Sequence, residues 1–450
     1  MGVGAGVLAL GISALPAPST VAAAPAPALA GAVPGDDWLV ETPEAHGMDP
    51  SMLEQSLDYA FADGRNAQGV VVVHDGVIVA ERYAPGADAN SWAASWSMAK
   101  SFTSALIGIA IEEGAIPSVD VPMTAYYPQW AGTPLEAITL RQVLHMETGR
   151  DWDENYDPTS LESSEIINMV ALQPDQLAFA VDRPLAHAPG TVFNYSSGDT
   201  MLLSGVLEQA TGMRVEDYAR AKLIGPLGID QFDWWRDVAG HTLTYCCIDT
   251  TTRDFARFGL LFERGGDWGG TQVVPSSWVD ASVTDTAASY GGYGYQWWLS
   301  PTGSGSIPPY FAAAGHDGQE IFVIPSLDLV VVHNSFYGKS PCPAVADPNL
   351  LYHYPPQGLV PGWGTVGPDS WSDEAFLGPI VASLTGGQPA LPADHDASPV
   401  PARAEAVWPG VDPADVAAPA ACPTAAPVTT TPSTASTAAP AAAVTPAFTG

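Results

Sequence analysis

The run "SWSMAKSFTSALIGIAIEEGAI", Ser95 to Ile116, constrains this chain more than any other stretch. Met98, Phe102, Ala105 and Ile109 recur at i, i+4, i+7 and i+11, the spacing of an α-helix that buries one face. Gly114 supplies a stop. In the middle of this apolar pattern sits Lys100, one of only three lysines (with Lys222 and Lys339) in 450 residues. A helix starting near Ser95 or Trp96 puts Ser97 in its first turn and Lys100 one turn on, along the same side. A serine hydroxyl is a poor nucleophile until a neighbour takes its proton. A lysine can take it once desolvation, or the positive end of a helix, pulls its pKa toward neutrality. The plain alternative is a lysine that snorkels to water from a half-buried helix. The tetrapeptide alone does not choose between them.

The rest of the chain supplies a frame. "GVVVVHDGVIVAERYA" (Gly69 to Ala84) sets two β-branched runs around Asp75-Gly76, a strong hairpin signal. "QEIFVIPSLDLVVVHNSF" (Gln319 to Phe336) reads as a second hairpin, and "GYGYQWWLS" (Gly292 to Ser300) as a further strand. Between the strand-rich ends lie helical patterns, among them Ser197 to Gly212 and Thr251 to Gly266, where Phe255, Phe258 and Phe262 share a face. "SDEAFLGPIVASL" (Ser372 to Leu384) closes the ordered part as a helix. The economical fold is α/β, of the α+β kind. One antiparallel sheet is built from the N- and C-terminal parts, flanked by helices, with a helical region inserted between them.

Three motifs in order carry a resemblance. "SMAKSFTSALIGIAIEEGAI" resembles the active-site helix of serine hydrolases of the penicillin-recognising, class C β-lactamase-like superfamily, and within it the 6-aminohexanoate-dimer hydrolase and esterase branch. "FNYSSGD" (Phe193 to Asp199) resembles the segment that carries the superfamily's tyrosine, here Tyr195. "AAGHDGQ" (Ala313 to Gln319) resembles the third element, on the strand lining the site, with His316-Asp317-Gly318 where Lys-Thr-Gly is common. The likeness covers roughly Asp37 to Leu384. It implies a β-lactamase/transpeptidase-like fold and acyl transfer in two halves: Ser97 attacks a carbonyl, Lys100 and Tyr195 share the proton traffic, and water releases the acyl-enzyme. A tyrosine beside an ammonium is expected to have a depressed pKa. The oxyanion donors implied are the backbone N–H groups of Ser97 and Gln319, with Gly318 letting the strand come close.

Two departures bear on substrate. Ser197 stands where an asparagine is common, and His316 replaces a lysine that helps hold a substrate carboxylate in β-lactam-binding relatives. A mostly neutral imidazole in an anionic protein argues against acidic substrates. The reading is an exported serine hydrolase for a small-molecule amide or ester. The alternatives are a D-Ala-D-Ala carboxypeptidase or β-lactamase, a non-hydrolytic penicillin-binding-like sensor, and a surface interaction protein. No cofactor or metal is implied: C-x-x-C and H-E-x-x-H are both missing from the sequence. Trp92, Trp96, Trp130, Trp152, Trp297 and Trp298 are candidates either to wall an apolar cleft or to fill the core.

Residues 1–35 read as a signal-peptide-like segment and Ala/Pro linker, residues 36–385 as the hydrolase domain, and residues 386–450 as a Pro/Ala/Thr-rich disordered tail or cell-wall stalk. A positive n-region is missing from the leader-like run, since no Lys or Arg precedes Arg65, so either a start codon placed too late or a weak signal is expected. Its apolar run, Val3 to Leu15, is too short to span a bilayer. A secreted, periplasmic or cell-wall-associated protein is expected, which suits four cysteines (Cys246, Cys247, Cys342, Cys422) and one or two disulfides. Adjacent cysteines seldom pair, so one of Cys246 and Cys247 is expected to reach Cys342. Fifteen basic against 49 acidic residues give a net charge of −34, which argues against a nucleic-acid partner and against anionic membrane surfaces. That balance fits either an ordinary acidic exported protein or one adapted to a salt-rich habitat. Activity that persists in molar salt marks the second, and precipitation there marks the first.

Overall fold

Asp75 and Gly76 both take positive φ, 53° and 78°, as a two-residue hairpin turn of the favoured hand requires. The turn joins β1 (Ala67–His74) to β2 (Val77–Tyr83) in antiparallel register. A computed structural model gives this picture, and it describes residues 32–62, 65, 67–155, 164–335 and 371–386. The expected leader and most of the expected tail lie outside these residues, as do Cys342 and Cys422.

The second hairpin also forms. Strands β3 (Trp298–Ser300), β4 (Tyr310–Gly315), β5 (Gln319–Ile324) and β6 (Leu329–Ser335) join the first pair in a six-stranded sheet of order β2-β1-β6-β5-β4-β3, antiparallel throughout. Strand β1 pairs with β6 inside the sheet, so the two ends of the domain meet there. Val70 and Val72 face one side and Val71 and Val73 the other, all buried. Such strands are apolar on both faces because helices cover both.

On one face lie α1 (Pro50–Ala60) and the last helix (Asp373–Thr385), whose Leu53, Leu57, Phe376 and Ile380 pack against Val70, Val72, Phe322 and Val331. On the other lies the inserted region. It contains α2 (Ala99–Glu112), α3 (Ser197–Thr211) and α4 (Thr252–Glu263), with α5 being the closing helix already given. Phe255, Phe258 and Phe262 of α4 are buried as their spacing predicts, with Phe258 stacked on Phe102 of α2. The insert is not purely helical. Trp92–Ala94 pairs with Ile248–Thr251, which pairs with Asp233–Trp234, in a short three-stranded ribbon. This ribbon brings the 245–248 segment beside Ser95.

The stretch from Gly292 to Ser300 is strand only at Trp298–Ser300. Gln296 turns through positive φ (64°), its carbonyl accepting from Ser101 and its side chain spanning Thr200 Oγ1 and the carbonyls of Val143 and Leu144. These buried partners outbid a sheet ladder for its polar groups.

Gly259 lets α4 lie close to the sheet. A Cβ there would stand 2.6 Å from Val330 Cγ1 and 2.7 Å from Ile321 Cγ2. Gly259→Val should therefore destabilise the domain by about 1–3 kcal/mol through overpacking. Urea unfolding checks this: the midpoint should fall with the slope unchanged. An unmoved midpoint would show that the helix can lift off without loss.

Candidate active site

The site is assembled where the insert meets the end of the sheet. Ser97 lies in a one-turn 3-10 helix, Trp96–Met98, that leads directly into α2. Trp96 holds a positive φ of 44°, an uncommon conformation for a large residue, at the position just before Ser97. Backbone ties hold that turn: Ser95 N–H donates to the Ile248 carbonyl at 2.7 Å, and Ile248 N–H donates to Ser95 Oγ at 2.8 Å.

Lys100 is almost wholly buried, and its Nζ has three neighbours at hydrogen-bond distance. Ser97 Oγ, Ser197 Oγ and the Tyr245 carbonyl oxygen each lie at 3.0 Å. Three separate elements supply them: the turn before α2, the first residue of α3, and the 243–247 loop. Thr103 Oγ1 donates to the Thr244 carbonyl and Thr244 Oγ1 to the Thr200 carbonyl, both at 2.7 Å, which stitches the three together. The snorkelling alternative is thereby set aside, because the amine points inward.

Tyr195 completes the group. Lys100 Nζ sits 4.9 Å from the centroid of its ring, its hydroxyl interacts with Ser97, and the ring stacks on Trp298. Burial holds the Tyr195 hydroxyl well above its usual pKa, the negative Glu154 adds to this, and Ser97 opposes it. The expected depressed tyrosine is thus corrected: removal of the phenol from water, with Glu154 adding to it, outweighs the Ser97 hydrogen bond and favours the neutral phenol.

His316, Asp317 and Gly318 form a 3-10 turn between β4 and β5 rather than lying within a strand. The His316 ring meets Trp96 edge-on at 5.7 Å, beside Ser97. A Cβ on Gly315 would strike the Ser95 carbonyl at 2.3 Å, so this turn and the turn before α2 touch backbone to backbone. Gly318 has φ of 74°, and its carbonyl is held by His333 Nδ1 at 2.5 Å. The Gln319 side chain faces β6, where it pairs with Asn334 and Ser335, which leaves only its backbone on the side of Ser97. Trp96 and Trp298 are half-buried at the site, whereas Trp130 and Trp297 are core.

Sequence reasoning missed Glu154. Its Oε1 accepts from Ser197 Oγ at 2.5 Å, and its Oε2 accepts from the Ser197 backbone N–H at 2.9 Å and from Trp152 Nε1. The carboxylate thus sits at the N-terminus of α3, where the helix favours negative charge. No motif marks it, because it comes 43 residues before Ser197 in an irregular segment.

The expected disulfide is also corrected. Cys246 bonds to Cys247, its neighbour, and not to Cys342. The loop that presents the Tyr245 carbonyl to Lys100 turns through positive φ at Cys247 (75°), folding the two side chains onto each other.

Comparison with known proteins gives the chain's relatives. A family model described as "Beta-lactamase" matches residues 52–344. A 6-aminohexanoate-dimer hydrolase of Paenarthrobacter ureafaciens is 26% identical over 299 residues, 62% of this chain and 74% of the relative. A D-aminopeptidase of Cereibacter sphaeroides is 26% identical over 263 residues, 54% of this chain and 49% of that longer protein. Among solved structures, a Bacillus anthracis protein described as a 6-aminohexanoate-dimer hydrolase superposes with a TM-score of 0.54 at 26% identity, covering 62% of this chain and 75% of its own.

Burial lowers the Lys100 pKa from 10.5 to about 8, against an opposing pull from the negative Glu154. Between pH 8 and 10.5 the unfolded chain binds a proton that the native lysine has lost, so stability rises with pH across that window. The shift corresponds to about 3 kcal/mol. Lys100→Met should remove that rise, read as the difference in urea-unfolding free energy between pH 7.5 and 10.5. Identical pH dependence in the two proteins would mean that the amine is not depressed.

Proposed function

Because the chain belongs to the beta-lactamase family, we propose that it is a serine hydrolase cleaving an amide or ester bond through an acyl-enzyme on Ser97. The observation that carries this reading is the buried Lys100 amine 3.0 Å from Ser97 Oγ, with a pKa brought to about 8. A fraction of such an amine is neutral at pH 7, and a neutral amine can take the serine proton as Oγ attacks the carbonyl carbon.

The oxyanion that forms is stabilised by the backbone N–H groups of Ser97, in the turn before α2, and of Gln319, the first residue of β5, which pairs with Gly315 beside the Ser95 carbonyl. Tyr195 gives its proton to the leaving nitrogen or oxygen and takes one from the Lys100 ammonium in the same step. A phenol this hard to ionise does not persist as phenolate. Water then enters, loses its proton to the same pair, and attacks the acyl carbonyl, which restores the Ser97 hydroxyl.

The substrate is proposed to be neutral or cationic at the cleft. Glu154 lies beside the site, His316 stands where a permanent cation would hold a carboxylate, and the protein carries a net charge of −34. A linear amide accords with the two aminohexanoate-dimer hydrolase relatives. The second reading, a D-peptide substrate, draws on the D-aminopeptidase relative. Export and association of the tail with a cell wall belong to the same proposal. They rest on the leader-like run Val3 to Leu15 and the Thr/Pro-rich composition after Gly386.

The test is intact mass after a fluorophosphonate probe, for wild type and Ser97→Ala, with parallel turnover of a p-nitrophenyl ester, a linear aminohexanoate amide, a D-aminoacyl anilide and nitrocefin. Wild type should gain one adduct and the variant none. Lys100→Ala and Tyr195→Phe should each lower acylation by about a hundredfold or more. A folded wild type without an adduct would leave a binding or sensor protein as the reading, and nitrocefin as the fastest substrate would overturn the choice of amide.

A further inference from the structure

Resting on the serine-hydrolase reading, we propose that Glu154 is a positioning residue for Lys100: by accepting the Ser197 proton it fixes which way the hydrogen bonds around the lysine run. The argument is one of counting donors and acceptors. A neutral amine has two N–H donors and one lone pair. To act as base toward Ser97 its lone pair must face Ser97 Oγ, so both N–H groups must be spent elsewhere.

The Tyr245 carbonyl can only accept, which spends the first. The second must go to Ser197 Oγ, at 3.0 Å. A hydroxyl can equally donate, and a Ser197 that donated would fill the lone pair and disable the base. Glu154 decides the matter. A carboxylate has only lone pairs to offer, and its Oε1 lies 2.5 Å from Ser197 Oγ, so the hydroxyl proton points to Glu154 and the serine oxygen accepts from Lys100. Oε2 is held by the Ser197 backbone N–H and by Trp152 Nε1, which fixes the carboxylate in that orientation.

The chain of donors therefore runs from Ser97 to Lys100, to Ser197, to Glu154. Its direction is set by the one member that cannot donate. The groups facing Lys100 from the packed elements are Ser97, Tyr195, Ser197, Tyr245 and Glu154, with Tyr293 behind Tyr195 and the buried Asp199–Arg150 pair further along α3. Of these, Glu154 is the charge that acts on Lys100, and its sign holds the ammonium form.

Glu154→Gln separates the two effects of the carboxylate. Glutamine has one acceptor oxygen for two N–H donors and one O–H donor. If the oxygen keeps the Ser197 and Trp152 N–H groups, its amide NH2 faces Ser197 Oγ and reverses the hydroxyl toward Lys100. The expected result is a fall in kcat/KM of about a hundredfold, with the acid limb of the pH–rate profile moved to lower pH because the anion no longer favours the ammonium. Adding Ser197→Ala removes the reversed donor, so the double variant should be faster than Glu154→Gln alone, a non-additive coupling.

The second readout does not depend on turnover. With only three lysines, a ¹³Cε-lysine NMR titration resolves Lys100, assigned through Lys100→Met. Its pKa should be lower in Glu154→Gln than in wild type. Glu154 is half-buried in an irregular segment, and the urea midpoint checks that the variant folds.

Activity of Glu154→Gln within threefold of wild type overturns the proposal. So does a fall in rate with an unmoved lysine titration, which a purely structural role would give, or a double variant slower than the single. If wild type takes no fluorophosphonate adduct, the hydrolase reading fails and the positioning role falls with it. A labelled wild type with an insensitive Glu154→Gln sinks the positioning role alone.

Discussion

The arrangement depends on one buried amine. A lysine removed from water is unfavourable as an ammonium, and Lys100 meets that condition by losing much of its proton affinity and by finding an acceptor for each N–H. Both responses serve the same chemistry. The desolvation that lowers the pKa leaves a fraction of the amine unprotonated at neutral pH, and the acceptors that satisfy it direct its lone pair. Few side-chain arrangements satisfy a buried lysine in this way, so α2, α3 and the 243–247 loop are all committed to it.

The sheet supplies the rigidity this needs. Its strands are packed on both faces, and the β1–β6 pairing joins sequence ends that lie more than 250 residues apart. At the ends of its strands stand the two turns that matter most, Trp96–Met98 and His316–Gly318, close enough that Gly315 has no room for a side chain. Strain collects there as well: Trp96 holds a positive φ of 44°, whereas the 74° of Gly318 is one that glycine adopts freely. A rigid platform that carries strained turns is the usual way to hold backbone donors where charge develops during a reaction.

Charge at the site follows the charge of the whole. A carboxylate at the start of α3 and an imidazole beside Trp96 stand close to Ser97 and Lys100. Under the proposed hydrolase reading, that carboxylate disfavours acidic substrates on the same physical ground as the net charge of −34. The Cys246–Cys247 bond lies in the loop that offers its carbonyl to Lys100, so covalent chemistry closes the loop next to the base.

Local signals were enough for much of this. Asp75-Gly76, the valine runs of β1 and β6, and the apolar spacing of Met98, Phe102, Ala105 and Ile109 specified two hairpins and the buried helix, because turn chemistry and periodicity act over a few residues. Ser97 and Lys100 were legible together for the same reason: one helical turn separates them. What only the tertiary structure decided is everything that reaches across the chain. The Tyr245 carbonyl is 145 residues from Lys100 and carries no residue-type signal at all. Glu154 sits in no motif, and the high pKa of Tyr195 comes from burial among Tyr293 and Trp298, which its own sequence neighbourhood does not reveal. The pairing of Cys246 with Cys247 went against the sequence expectation because a backbone turn outside the reach of composition folds the two together. Sequence fixes the groups that neighbours in the chain can bring together; burial and hydrogen-bond direction are set only when distant segments close around them.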